Sequence, residues 1–526
     1  MTQNSSHEEA EARTAAGPQA HPHRWWILTA LCLALMLVLL DNTVLTVAIP
    51  SITESLGAST SSLQWMMNGY TLVLAGLLMS TGSLSDRYGR KRALLLGLVL
   101  FTIGSAVAAF SDSPAQLIAS RIGMGLGAAF LMPSTLAVLL QVFDEKERPK
   151  AIAVWTGVAS GSIALGPVVG GFLLDHFWWG SVLLINVPIG IVALVAMAAL
   201  VPESRDPQVR RPDIPGVLLS ALMGVGLVYA AISVPEHGWD SPSVLVPVAV
   251  GVLSMISFVV WERRAKDPML DITLFRNPLF SGAVGSAALT SIAMAGSLFL
   301  FTQYLQFALG YSPLQAGFGV IPMALALLAM TPFSPKMSAR VGAPGTLACG
   351  LGVMGVGLVV LSFVGTDTGY GLTLVGLALM GGGVGIALPA SSNTLMSAIP
   401  PERAGMASGL NSTMQEFGSA LGVAVLGSLA AAQFASQLPA TVPEGSEHSV
   451  GQALGAAAQD SDAARVIAEV KEAFVSGVSL SLRFAAATAV LAGIVAWVVL
   501  RRGGRRAPAG QEAVGPEKAQ DTAGVS

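Results

Sequence analysis

The apolar residues of this chain fall in long unbroken stretches separated by short polar turns. Stretches near or above the roughly 20 residues that cross a hydrocarbon core run at 25–49, 63–84, 93–110, 115–140, 151–174, 181–201, 215–234, 244–261, 279–307, 314–333, 345–364, 370–389, 404–431 and 478–500. Strands of a membrane barrel alternate apolar with polar positions over roughly 10 residues, and these stretches do not alternate. Backbone in lipid satisfies its own hydrogen bonds, so each stretch predicts a helix. The pattern therefore predicts an all-α integral membrane protein of 14 transmembrane helices.

Composition agrees with that solvent. Of 526 residues, 53% are hydrophobic and 11% charged, with a mean hydropathy of +0.67, too apolar for a water-soluble chain of this length. The formal net charge is −3 and the basic residues are scattered, so no nucleic-acid partner is expected. Cys32 and Cys349 lie inside apolar stretches, as small hydrophobes and not as a disulfide framework. Residues 1–24 are polar, acidic and interrupted by proline; they read as a solvated tail, with no cleavable signal, so the first helix is retained.

Charge position changes the picture more than charge total. Of 28 Lys and Arg residues, 24 fall in the two tails and in alternate turns, all on one side of the predicted bundle. Arg465 and Lys471 fall in the long segment 432–477 on the other side, and Arg121 and Arg483 lie within helices. Basic residues are retained in the cytoplasm. Both termini are therefore expected there, with segment 432–477 outside and the protein multi-pass in the cell membrane.

Besides Arg483, three charged residues interrupt the apolar stretches. Asp41 sits eight residues before the outer end of the first helix and Arg121 six residues into the fourth from the same side, roughly 12 Å and 9 Å deep at 1.5 Å per residue. They share a level, and a charge there is costly unless it pairs or meets water. One reading is a static pair stitching two helices. The other is a proton site: burial favours a neutral Asp41 while Arg121 favours its charge, so a small movement loads or releases a proton. Glu416 lies mid-way along helix 13, as an interhelical hydrogen-bonding residue or as a cation or proton site. Aligning ERPKA at Glu147 with ERAGM at Glu402 sets Glu416 opposite Gly161.

The turn GSLSDRYGRKR, residues 82–92, packs Asp86 with Arg87, Arg90, Lys91 and Arg92. Gly82 and Gly89 permit a tight reversal, and Asp86 is expected to open the next helix, where a carboxylate meets the positive end of the dipole. A degenerate copy, PKMSARVG, matches Ser338, Arg340 and Gly342 to Ser85, Arg87 and Gly89. The spacing G-x-L-x-D-R-x-G-R-K resembles the signature loop of the major facilitator superfamily. LLDNTVLTVAIP, with Thr46 in place of the usual Asn, resembles the first-helix signature of drug:proton antiporters. LIASRIGMGLGAA resembles their fourth-helix motif with Met124 replacing Gln, and GVASGSIALGPVVGG their antiporter motif in helix 5. With INVPIG at 185–190, the 14-helix count, and ERAGMASGLNS and GSALGVAVLGS in helix 13, the chain resembles the EmrB/QacA type of multidrug exporter.

That resemblance implies a major facilitator fold of two six-helix halves, 25–201 and 279–500, with two inserted helices and a linker at 202–278, an outer loop at 432–477, and tails at 1–24 and 501–526. It implies a conformational latch at Gly82, Asp86, Arg87, Gly89 and Arg90, proton coupling through Asp41, Arg121 and Glu416, and an antiporter motif at Gly161, Gly166, Pro167, Gly170 and Gly171. The small residues of helix 5, Gly157 included, also permit close helix contact, and Pro167 bends the helix. Gln64, Trp65, Asn68, Tyr70, Asn186, Gln303, Gln306 and Asn393 would line a polar cavity or form interhelical hydrogen bonds. Glycine clusters such as GMGLGA and GGGVG follow no strand and read as helix packing. No G-x-x-x-x-G-K-[ST] occurs, so no ATP site is expected in this chain, and the six histidines show no metal-ligand spacing. The expected function is proton-coupled efflux of hydrophobic, cationic drugs or antibiotics, with the proton gradient as energy source and no cofactor. A solute importer or a specific metabolite exporter of the same fold is the alternative. An enzyme is not expected, since no catalytic cluster stands out.

Overall fold

The computed structural model describes residues 22–144, 146–205, 213–266, 268–399, 404–443, 445–460 and 462–504. Most of both predicted tails, and Glu402 of the ERAGM segment, lie outside this set. Among the described residues regular structure is helical throughout. The helices of the first part are α1 (Arg24–Leu56), α2 (Thr60–Tyr88), α3 (Arg90–Ala109), α4 (Pro114–Val142), α5 (Arg148–His176) and α6 (Ser181–Leu200). There follow α7 (Ile214–His237) and α8 (Pro242–Glu262). The remainder holds α9 (Pro278–Ala308), α10 (Pro313–Met330), α11 (Phe333–Leu361), α12 (Tyr370–Ser397), α13 (Ala404–Gln437) and α14 (Ala463–Gly504).

Helices start where the sequence supplies a side-chain acceptor followed by proline. Ser113, Ser241, Asn277 and Ser312 accept from the N–H of Gln116, Ser243, Leu279 and Gln315, and Pro114, Pro242, Pro278 and Pro313 open the helices they cap. The caps use free N–H groups of the first turn, and proline costs nothing where no acceptor is needed. Among the described residues twelve helices, all but α2 and α5, are long and apolar enough to cross a membrane, two fewer than the 14 expected. Helix α2 is 29 residues long but carries Gln64, Asn68, Tyr70 and Thr71 in its middle; α5, also of 29 residues, is rich in glycine. Large apolar side chains such as Val195, Leu253, Leu491 and Ile494 are exposed on the bundle surface, as a lipid-facing wall requires.

The packing repeats. In the first half α1 packs on α5, α2 on α4, and α3 on both α4 and α6; in the second α9 packs on α13, α10 on α12, and α11 on both α12 and α14. The halves meet through α2 against α13 and α5 against α10, which are equivalent contacts under the repeat. The pair α7–α8 sits at one seam, with α7 touching α2 and α13. Ser80 near the end of α2 contacts Met269 of the linker into α9, and Gly282 of α9 packs on Leu500 of α14. The start of α1 and the end of α14 thus share one face of the bundle, called here the terminal face.

Three boundaries differ from the sequence expectation. Asp86 belongs to the last turn of α2, and α3 starts only after Gly89, whose φ of 121° breaks the chain. Its counterpart Gly342 breaks α11 with φ 74°, so the repeated turn recurs in backbone as well as in sequence. The segment expected as an outer loop at 432–477 is mostly helical: α13 runs to Gln437, α14 begins at Ala463, and a short helix spans Val450–Ala457. Charges end an apolar stretch without ending a helix. In α14 Val466, Val470 and Phe474 are buried, while Arg465 pairs with Glu469 on the exposed side at 2.8 Å.

Candidate functional site

The fully buried ion pair of the first half joins Asp41 of α1 to Arg121 of α4, through Arg121 Nη1 and Asp41 Oδ2. Arg121 spends its other donors on the Met66 carbonyl (Nε, 3.2 Å) and on Asn42 Oδ1 (Nη2, 3.4 Å), and its guanidinium lies 4.3 Å from the centre of the Tyr70 ring. Asp41 Oδ1 accepts from Asn186 Nδ2 at 2.9 Å. Asn186 Nδ2 also reaches Ser105 Oγ at 3.1 Å, and Ser105 donates to the Leu183 carbonyl at 2.7 Å. The pair is thus held by α1, α2, α3, α4 and α6 together. Close approach makes this possible: a Cβ on Gly125 would come 3.1 Å from the Cα of Tyr70, so only glycine lets α4 lie this near α2.

Taking two charges out of water is repaid only when geometry and further hydrogen bonds are good. Here both carboxylate oxygens accept and the guanidinium is bonded on three nitrogens, with an aromatic face beneath it. The arrangement is neutral as a unit and intolerant of losing one member. Removing a single partner of such a pair typically costs about 3–5 kcal/mol.

Glu416 of α13 is half-buried and, among the described residues, has no hydrogen bond or ion pair. It lies within electrostatic range of Tyr70, as do Asp41 and Arg121. Tyr70 is fully buried with an unpartnered hydroxyl, and both side-chain polar atoms of neighbouring Asn68 are likewise unpartnered. Glu416 of the second half and the ion pair of the first therefore lie within electrostatic range of one buried tyrosine whose hydroxyl is unpartnered among the described residues.

The predicted site residues separate into groups. Tyr70 and Asn186 join the ion pair. Gln64 reaches the carbonyls of Val423 and Ala424 across the halves, both at 3.4 Å, and Gln306 the carbonyl of Val47 at 2.9 Å. Thr302 donates to the Thr46 carbonyl at 3.1 Å, and Asp175 accepts from Ser312 Oγ at 3.2 Å and from the Leu314 N–H at 3.4 Å. These cross-half bonds all lie toward the face opposite the termini, which is closed. Trp65 packs on Tyr229 at 5.8 Å, Gln303 bonds within its own helix to Phe299, and Asn393 is exposed. Asn393 and Gln303 are not brought to the ion pair. Asn42, Ser105 and the Met66 carbonyl belong to the site and carry no mark in the sequence, except that Asn42 stands next to Asp41.

The glycines of α5 divide in the same way. Gly166 packs on Leu40 and Thr43 of α1, Gly170 on Val44, and Gly171 on the backbone of Pro313 and Leu314 of α10, while Gly317 of α10 packs on Pro167. Among the described residues, a Cβ on Gly157 or Gly161 would meet nothing within 4 Å, so neither position makes a close helix contact. They sit on the terminal-face half of α5, beyond the stretch held against α1 and α10. At the terminal face Asp86 pairs with Arg90 at 2.7 Å, Arg90 Nη1 approaches Gln141 at 3.4 Å, and the Arg90 N–H donates to the Ser204 carbonyl at 2.9 Å. Lys91 Nζ donates to the Ala198 carbonyl at 2.7 Å, so the turn is tied to the end of α6. Gly82 packs on Pro133 of α4, and Arg87 lies over Tyr88.

A repeated six-helix packing with a charged turn at the terminal face and an ion pair in the core is matched at the level of sequence: residues 31–423 fit the profile of the Major Facilitator Superfamily. The chain belongs to that superfamily. It is 37% identical over 412 residues to the multidrug resistance protein Stp of Mycobacterium tuberculosis, covering 78% of this chain and 76% of Stp. It is 35% identical to the multidrug efflux pump LfrA of Mycolicibacterium smegmatis, covering 91% and 97%. It is 32% identical to the tetracenomycin C resistance and export protein of Streptomyces glaucescens, covering 92% of each. Among solved structures, a bacterial homologue of the human lysosomal transporter Spinster, inward-facing and unoccupied, aligns with TM-score 0.65 over 93% of this chain and 100% of its own, at 17% identity. That likeness is one of fold.

Proposed function

We propose that this chain exports hydrophobic drugs or antibiotics across the cell membrane, with both termini in the cytoplasm, and that protons entering through the Asp41–Arg121 pair drive the export. The observation that carries the reading is the pair itself, buried from both sides and bonded at every oxygen of Asp41. An ionisable pair at this depth supports a carrier that exchanges a proton for a substrate. The names of Stp, LfrA and the tetracenomycin C exporter support the direction and the substrate class.

In this scheme protonation of Asp41 from outside neutralises it and frees Arg121, and release to the inside restores the pair. The substrate and the proton bind to alternative arrangements of one region, and competition between them links the two fluxes. Glu416 supplies the carboxylate of the opposite half, facing Tyr70, where a cationic drug or a second proton is stabilised.

The test is drug accumulation in inverted vesicles energised by a proton gradient. Asp41→Asn should abolish accumulation and drug-induced proton release while leaving equilibrium drug binding measurable. Full accumulation by Asp41→Asn that an uncoupler still abolishes would move the proton site elsewhere. Glu416→Gln then separates its two roles: selective loss of cationic drugs identifies a substrate contact, and equal loss of all drugs a second proton site.

A further inference from the structure

We infer that Asp213 and Glu262 form a proton-binding site at the terminal face, where one shared proton joins the two carboxyl groups and fastens the linker between the inserted helices and the second half. The inference rests on neither the ion pair nor the proposed transport cycle. Asp213 caps α7 and its Oδ1 accepts from the Gly216 N–H at 3.0 Å and from Trp261 Nε1 at 2.8 Å. Glu262, the last residue of α8, is 4% exposed, and its Oε2 accepts from the Leu270 N–H at 3.0 Å. Among the described residues, each carboxyl group is left with one buried oxygen that no donor reaches, Oδ2 of Asp213 and Oε1 of Glu262.

Those two oxygens point to one place. A Cβ on Gly216 would lie 2.6 Å from Asp213 Oδ2 and 2.8 Å from Glu262 Oε1, and the two side chains are within hydrogen-bonding reach of each other. Two facing acceptors without a donor are unsatisfied, and two ionised carboxylates in a buried site repel. A single proton resolves both: one carboxyl donates to the other, and the pair carries one negative charge in place of two. Among the described residues, Asp213 is the charged group acting on Glu262. Arg263, Arg264 and Lys266 beside it are exposed, Asp271 of the linker caps Thr273, and Met79 of α2, Phe280 of α9, Leu395 of α12 and Leu410 of α13, which pack near the linker, are apolar.

The hydrogen bond to Leu270 gives the proton something to hold. Leu270 is buried in a cluster with Phe258, Phe280, Leu395 and Leu410, so the linker is pinned where α8, α9, α12 and α13 meet. With the proton present, Glu262 stays inward and keeps the Leu270 amide. With the proton lost, repulsion drives Glu262 toward solvent and the amide loses its acceptor. The site therefore senses pH on the terminal side.

Hydrogen exchange at the Leu270 amide in the full-length protein tests this. Its protection factor, corrected for intrinsic exchange, should fall by about tenfold or more between about pH 6 and about pH 8.5, as loss of a buried charge-assisted hydrogen bond implies. Glu262→Gln should keep protection high at both pH values, because the amide accepts from Leu270 and donates to Asp213. Asp213→Asn, which preserves the cap of α7, should flatten the pH dependence in the same way. Equal protection of the wild-type amide at both pH values overturns the inference, as does an undiminished pH dependence in both variants. Asp41→Asn should leave the Leu270 profile unchanged whether or not it abolishes transport.

Discussion

At the scale of single residues the core site is a set of mutual obligations. Asn186 illustrates it: its Nδ2 serves Asp41 and Ser105 at once. Asn186→Ala leaves a carboxylate oxygen and a hydroxyl without their donor in a buried place, and should destabilise the protein by about 1–3 kcal/mol, read as a lowered melting temperature in detergent. Because Asn186 touches Asp41 and not the Tyr70–Glu416 region, transport of all substrates should fall together. Arg121→Lys keeps the charge but cannot hold Asp41, Asn42 and the Met66 carbonyl in one plane; residual transport by that variant measures how much charge alone achieves. Asp41 and Arg121 were legible in the sequence because a charge in an apolar stretch is conspicuous and depth can be counted along a helix. Their partners were not, since Asn42, Ser105 and a backbone carbonyl of Met66 look ordinary until five helices converge on them.

At the scale of elements α5 is two helices in one. Its half remote from the termini is clamped between α1 and α10, and the other half is not, although glycines run through both. Gly171→Val places a branched side chain where the Cα of Leu314 lies 2.6 Å from a Cβ, and should lower initial transport rates by about tenfold or more, in line with the 1–3 kcal/mol typical of overpacking. Gly157→Val, with open space around it, should transport at close to the wild-type rate at equal expression. Glycine spacing alone did not distinguish these positions, because it records where contact is permitted and not which neighbour arrives. Asp86 was misplaced for a related reason: the acid and the reversal are both written in the turn, but only the backbone shows that Gly89, and not the acid, ends the helix. Apolar length located helices, twelve of them apolar enough to span, and missed the charged ends of α13 and α14, where helix outlasts hydrophobicity. Since Asp86 bonds Arg90 and lies far from Asp41 and Glu416, Asp86→Asn should slow turnover of every drug alike and leave equilibrium drug binding intact.

At the scale of the whole molecule, the cross-half hydrogen bonds gather toward the face opposite the termini. Topology is open to direct measurement there. In a variant lacking Cys32 and Cys349, Gln459→Cys, exposed beside the Val450–Ala457 helix, should react with a membrane-impermeant thiol reagent added to intact cells; reaction only after permeabilisation reverses the assigned orientation. The positive-φ glycines Gly89 and Gly342 put a matching elbow in each half, yet the Asp86–Arg90 pair stands only at the first. Ala339 stands where the first carries Asp86, and Ala343 where it carries Arg90. The second elbow therefore has no counterpart of the Asp86–Arg90 ion pair. Ala339→Asp combined with Ala343→Arg would fit a second catch to that hinge, and the machine so altered should grip its cargo as before but cycle more slowly.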